Sequence, residues 1–204
     1  MRGRSDRKLM LGVTGGIGSG KTSVCRVFSV LGIPVFSADP EAKILMNTDE
    51  RIREAINRIT GRDMYPEGIL DRPALAELIF NDRELLLKVN KAVHPVVMER
   101  FLDWAERQTS PYVIIEVAIL FESGAAELVD RILTVTAPME ERIERVIMRN
   151  RMTREQVLER IRNQHDDEYL VSRSDYVIEN SENDMIIPAV LDIHRDILSE
   201  LNIS

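Results

Sequence analysis

Cys25 is the one cysteine in the 204 residues, so no intramolecular disulfide can form. That count fits a reducing, cytosolic setting. Cys25 falls on an apolar-periodic stretch and reads as a small buried hydrophobe, with a reactive thiol as the alternative. Positive charge is not in excess: the net charge is -7, which argues against broad nonspecific nucleic-acid binding. No apolar run approaches the length of a membrane span. The basic start, MRGRSDRK, runs directly into the first apolar stretch with no signal-peptide pattern, and reads as an extension. The three histidines, His94, His165 and His194, share no metal-ligand spacing, which speaks against zinc. Internal repeats, low-complexity tracts and interdomain linkers are also missing. What remains is an ordinary soluble composition, 44% hydrophobic and 30% charged, long enough for one α/β domain with subdomains.

The most informative stretch is Lys8 to Val24. A short apolar run, Leu9 to Val13, leads into Gly15-Gly16-Ile17-Gly18-Ser19-Gly20-Lys21-Thr22, which fits G-x-x-x-x-G-K-[ST]. Apolar residues at Val24, Val27, Phe28 and Leu31 then predict a helix. Strand, glycine-rich loop and helix is the setting in which this pattern binds nucleotide phosphates. Backbone amides of Gly16, Ile17, Gly18, Ser19, Gly20, Lys21, Thr22 and Ser23 are the candidate ATP contacts. Glycines let the chain take positive φ and approach an anion without a Cβ in the way. The helix start adds its positive dipole end. Lys21 would reach the β- and γ-phosphates, and the Thr22 hydroxyl would ligate Mg²⁺.

Ile33 to Phe36 predicts a second strand. After it Asp39-Pro40 has the form of an N-cap followed by a first-turn proline. Asp39 also lies past the carboxyl end of a strand, the edge where ligands bind in open α/β sheets. Position alone leaves cap and catalytic residue equally open. From Thr48 to Gln108 the chain reads as helical, a strand-free insertion, with a break or kink expected at His94-Pro95. Pro111 to Val117 predicts a third strand. Glu116 at its end is either an acid near Mg²⁺ or a strand-end residue in water. Glu122 either contacts substrate or caps a following helix. Arg131 to Thr136 and Ser174 to Ile178 predict strands four and five, and an apolar stripe from Asn183 to Leu201 predicts the last helix.

Between the last two strands lies a basic helical pair. Arg142, Arg145 and Arg149 share one helix face, and Thr153 with Gln156 has the form of a capping box on the next helix. Interspersed glutamates allow a merely solvated pair. In a chain with a phosphate loop, however, a mobile arginine lid supplies cations around a γ-phosphate and excludes water. A guanine-reading N-K-x-D is missing, since Asn90-Lys91-Ala92 is followed by Val93, and so is L-S-G-G-Q. A small-molecule kinase is the layout that remains.

The stretches LGVTGGIGSGKTSV, LGIPVFSAD, LDRPALAELIFND, VNKAVHPVV, ILFESG, ERVIMRNRMTREQVLERIRNQ and SDYVIEN together resemble the dephospho-CoA kinase family over nearly the whole chain. The resemblance implies phosphorylation of the ribose 3′-hydroxyl of dephospho-CoA by ATP with Mg²⁺, the last step of coenzyme A synthesis. It implies a P-loop α/β fold with a five-stranded parallel sheet ordered 2-3-1-4-5. The expected parts are a core (8–47, 109–137 and 166–204), a helical CoA-side insertion (48–108) and a lid (138–165). By the same resemblance Asp39 meets the acceptor hydroxyl, and Lys21, Arg145 and Arg149 complete the catalytic set. Arg72, His94, Leu120 and Glu122 join Asp39 as substrate contacts. Three positions depart from the family pattern: Ser37 where an aspartate is usual, Ala118 where proline is frequent, and Arg142 where glutamine is frequent. The expected partners are ATP and dephospho-CoA, without nucleic acid or membrane, for a cytoplasmic monomer or weak homo-oligomer.

Overall fold

Strand β1, Leu9–Thr14, is buried at all six positions because it has a strand on each side and packed side chains over both faces. The computed structural model describes residues 8–203, with β1 at the centre of a five-stranded sheet. The basic extension at residues 1–7 lies outside the described residues. The other strands are β2 (Val35–Ser37), β3 (Tyr112–Glu116), β4 (Arg131–Thr136) and β5 (Tyr176–Glu179). Their order is β2-β3-β1-β4-β5, as expected, and β1 runs parallel to β3 and β4. Leu11 sits opposite Ile114 on one side and Arg131 on the other.

Period-2 alternation sends Leu9, Leu11 and Val13 to one face, with Tyr112 and Ile114 of β3 and Leu133 and Val135 of β4. Two helices cover them. Helix α1 (Lys21–Val30) contributes Val24, Cys25 and Phe28; the C-terminal helix Ile186–Glu200 contributes Val190, Ile193 and Ile197. Cys25 is 3% exposed, and burial pushes its thiol far above the ordinary range, so the core reading of this residue holds. On the opposite face Gly12 leaves room for Leu120 and Val129, which a Cβ would meet at 3.1–3.3 Å.

The chain forms two compact units: Ser37–Trp104, and the remainder. The first is built of helices α2 (Ala38–Thr48), α3 (Glu50–Thr60), α4 (Arg72–Asn81) and α5 (Arg83–Glu106). Asp49 caps α3 by accepting from the Arg51 N–H, and Gly61 ends it at φ 70°. Asp71 caps α4. The segment between them is tied to α2, where Tyr65 donates to the Met46 carbonyl at 2.7 Å and the Leu70 N–H to Asn47 Oδ1 at 2.9 Å.

Two local readings are sharpened. Of the break or kink expected at His94-Pro95, the break does not occur: helix α5 runs on for 24 residues. Pro95 is exposed, as is Lys91, whose carbonyl loses its helical donor, so water can take that donor's place. Nor is Asp39 an N-cap. Helix α2 starts at Ala38, the cap position falls on Ser37, and Asp39 lies in the first turn. Pro40 is tolerated there because the first helical N–H groups have no partner within the helix.

After β4 come α6 (Met139–Asn150) and α7 (Arg154–Arg162), joined through Arg151 at φ 54°. The capping box of Thr153 and Gln156 is present with both bonds. A five-residue helix, α8 (Asp167–Val171), was not expected; Asp166 caps it. The C-terminal helix Ile186–Glu200 is α9.

Candidate active site

The loop between β1 and α1 is shaped by its glycines. Gly20 precedes α1 at φ 94°, and a Cβ there would lie 2.0 Å from Asn180 Nδ2. A Cβ on Gly16 would lie 1.9 Å from Arg142 Nη2. These positions therefore need glycine because other side chains press on the loop from outside. Lys21 opens α1, and its Nζ donates to the Gly15 and Gly16 carbonyls at 2.7 and 3.2 Å. The ammonium thus lies over the loop where an anion's charge would fall. Thr14 Oγ1 and Ser19 Oγ are buried polar atoms without a hydrogen-bond partner.

Thr22, the next residue, donates from Oγ1 to Glu116 Oε1 at 2.7 Å. Glu116 ends β3, so sheet register delivers a carboxylate to the start of α1. These two hard oxygen donors fit Mg²⁺, which in phosphate sites takes few protein oxygens and fills its shell with phosphate and water. Beyond β3, Leu120 is fully buried against Gly12, and Glu122 accepts from the His165 N–H at 3.1 Å. Glu122 caps no helix: only a 3-10 turn, Ala125–Glu127, follows, and its N-cap is Gly124.

Helix α6 reaches the loop through Asn180, which follows β5. Asn180 Nδ2 donates to the Ser19 carbonyl at 2.8 Å. The Asn180 carbonyl accepts from Arg145 Nη1 at 2.9 Å, while Arg145 Nη2 pairs with Glu141 at 2.8 Å. Arg149, one turn further along α6, is exposed, and its Nε donates to Asn150 Oδ1. The structure therefore joins Gly16–Ser23 and Arg145 in one bonded group, with Arg149 next along the helix.

The helical unit holds the remaining candidates. Asp39 is exposed in the first turn of α2, and its charge acts on His94 of α5. Burial pushes the His94 pKa down; the Asp39 carboxylate opposes this without cancelling it. Arg72, at the start of α4, donates to the Lys43 carbonyl at 3.1 Å, one turn along α2 from Asp39. Asp39, His94 and Arg72 thus gather around the first turns of α2.

Sequence reasoning raised Glu116 without settling it and passed over Asn180 and Gln164. A charge closing an apolar strand was the signal for the first. The other two are amides in loops, and only tertiary contacts reveal them.

A glycine loop leading off the central strand of a parallel sheet, with a lysine over it and an arginine-bearing helix bonded to its rim, defines a P-loop kinase. The family model described as dephospho-CoA kinase matches residues 9–185. The chain belongs to the dephospho-CoA kinase family, a family of ATP-dependent kinases. It is 38% identical to a dephospho-CoA kinase of Bacteroides fragilis over 91% of both chains. It is 37% identical to one of Porphyromonas gingivalis, over 91% of this chain and 92% of that one. A crystal structure from Thermus thermophilus superposes with TM-score 0.81 at 34% identity, covering 96% and 99% of the two chains. The dephospho-CoA kinase of Campylobacter jejuni shares the fold, with TM-score 0.67 at 22% identity over 94% and 98%.

Proposed function

We propose that the protein transfers the γ-phosphate of ATP to the ribose 3′-hydroxyl of dephospho-CoA, giving ADP and coenzyme A, the last step of coenzyme A biosynthesis. The observation that carries this reading is the phosphate loop, with Lys21 folded over it and Thr22 paired to Glu116, in a chain matched by its family model from residue 9 to residue 185.

The dipole of α1 and the loop amides between Gly16 and Ser23 bind the donor phosphates, apart from those of Ile17, Ser19 and Ser23, whose N–H groups donate to Gln164 and to loop carbonyls. Lys21 moves from the loop carbonyls to the β- and γ-phosphates. Thr22 and Glu116 would hold Mg²⁺, which would offset phosphate charge there. Asp39 orients the acceptor hydroxyl and takes its proton. Because the transition state of such transfers is largely loose, placement counts for more than basicity. Arg145 and Arg149 offset charge on the transferring group from α6. His94, kept neutral by burial, serves as a hydrogen-bonding partner for the acceptor beside Asp39, and Arg72 and Glu122 supply charged contacts to it. Leu120 is buried over the whole residue, so it supports the site by packing against Gly12 rather than by touching substrate.

No helix among the described residues is long and apolar enough to cross a membrane. The single buried thiol supports a cytoplasmic location, and a monomer or weak homo-oligomer is the expected state. The test is ADP release with dephospho-CoA, AMP, CMP or no acceptor. Acceleration by dephospho-CoA alone is expected; acceleration by AMP or CMP, or no acceptor dependence, would reject the assignment.

A further inference from the structure

Ile17, within the phosphate loop, has its peptide groups held from outside the loop on both sides. Its N–H donates to Gln164 Oε1 at 2.8 Å, and its carbonyl accepts from Arg142 Nε at 3.1 Å. Neither partner is adjustable. Gln164 Nε2 donates in turn to the Ala118 carbonyl at 3.1 Å, which fixes the amide in the plane that Ile17 needs. Arg142 Nη1 donates to both carboxylate oxygens of Asp167, at 3.0 and 3.1 Å. The Ile17 side chain packs against the cluster of Ile143, Val146 and Val157 between α6 and α7.

Arg142 is 4% exposed, which is unusual for a guanidinium. A buried charge persists only where its donors are paired, and here the pairing is with a loop carbonyl and an acid. Gly16 is the loop residue that makes room for it, since any Cβ would overlap Arg142 Nη2. A side chain serving only to join α6 to α8 would need the bond to Asp167 alone. The bond to Ile17 adds control of one peptide in a loop whose following amides face the nucleotide phosphates. Turning that peptide would turn the Gly18 N–H with it.

We infer that Arg142 and Gln164 are positioning residues for ATP, clamping the Ile17 peptide so that the loop is set for phosphates before the nucleotide arrives. Preorganisation of this kind lowers the cost of binding rather than adding a contact. The inference rests on the reading of the loop as the ATP site. Asp167 belongs to the clamp because it fixes the guanidinium.

The test compares Arg142→Met, Gln164→Leu, Asp167→Ala and Arg142→Lys with the wild type, by calorimetric ATP binding and by steady-state kinetics. Losing a charge-assisted bond to the loop should raise the Kd and KM for ATP about tenfold in Arg142→Met. Gln164→Leu and Asp167→Ala should show smaller shifts in the same sense, and Arg142→Lys should recover part of the loss. The KM for dephospho-CoA and kcat should stay within about twofold, the mark of a lost ground-state interaction. Gln164 is only half-buried, so Gln164→Leu keeps the test alive if Arg142→Met fails to fold. Unchanged ATP affinity in a folded Gln164→Leu protein would overturn the inference, as would equal losses in both KM values and kcat. ATP binding needs no acceptor. Wild-type ATP binding without turnover of dephospho-CoA would therefore remove the acceptor assignment while still testing the clamp.

Discussion

Asp39 shows how much one register step matters. The dipeptide Asp39-Pro40 has the form of a helix start, yet the helix begins one residue before the aspartate. Its carboxylate is therefore not occupied in capping and stays exposed beside His94. Asp39→Asn should keep ATP affinity and lower kcat by about a hundredfold or more, the usual contribution of a positioned acid–base group. A near-normal kcat in that variant would remove Asp39 from the chemistry. Arg149→Ala should lower kcat by about a hundredfold with little change in either KM, as for a cation that acts on the transition state. An effect confined to KM would count against that role. His94 gives a pH prediction with a definite sign. Burial lowers its folded-state pKa, so the unfolded chain takes up the proton first as pH falls. Its contribution to stability is complete above the unfolded value of about 6.5 and declines as pH drops from there toward the folded value. His194 is shifted the same way by burial. Denaturation midpoints measured from pH 8 to pH 5 should therefore fall less steeply in His94→Gln than in the wild type. The loop residues were legible from sequence because their spacing is itself the signal. Gln164 and Asn180 were not, because an isolated amide has no pattern until the chain folds back on it.

Helices whose ends carry side-chain caps were legible nearly to the residue. Asp49 with Gly61, Asp71 before α4, and Thr153 with Gln156 each mark a boundary by a local bond that the sequence encodes. Thr153→Ala should cost about 1 kcal/mol locally, the usual worth of such a cap. Hydrogen exchange would show faster amides in the first turn of α7 and no change in α9. Helix α5 continues past Pro95, where a break was one expectation, because proline counts against a helix only locally while buried Val89, Val93, Val97 and Phe101 hold this one along its length. Strand β2 is displaced from 33–36 to 35–37, since three residues are too few to show alternation. Helix α8 was missed for the same reason: five residues make barely more than one turn.

At the scale of the whole molecule, the parallel order 2-3-1-4-5 was implied by the family resemblance, and the sheet has it. The bonds that set the loop could not be read the same way, because they link residues far apart in the chain. Binding to the folded state alone should appear as added stability. ATP at about 100 times its Kd contributes about 2.7 kcal/mol. For a chain of this length that raises Tm by about 5–10 °C. A Lys21→Ala variant should show a much smaller rise in the same calorimetric scan. The bond lengths along the chain also bear on how the protein is made. The phosphate loop is synthesised well before two groups that hold it, since Ile17 meets its amide partner 147 residues later and Ser19 its partner 161 residues later. Strand β1 likewise emerges before any of its neighbours exist. A nascent chain stalled before residue 164 carries every residue of the glycine motif but lacks Gln164 and Asn180, which bond to it. Nucleotide capture should therefore begin abruptly once Asn180 has cleared the exit tunnel and folded back on the loop.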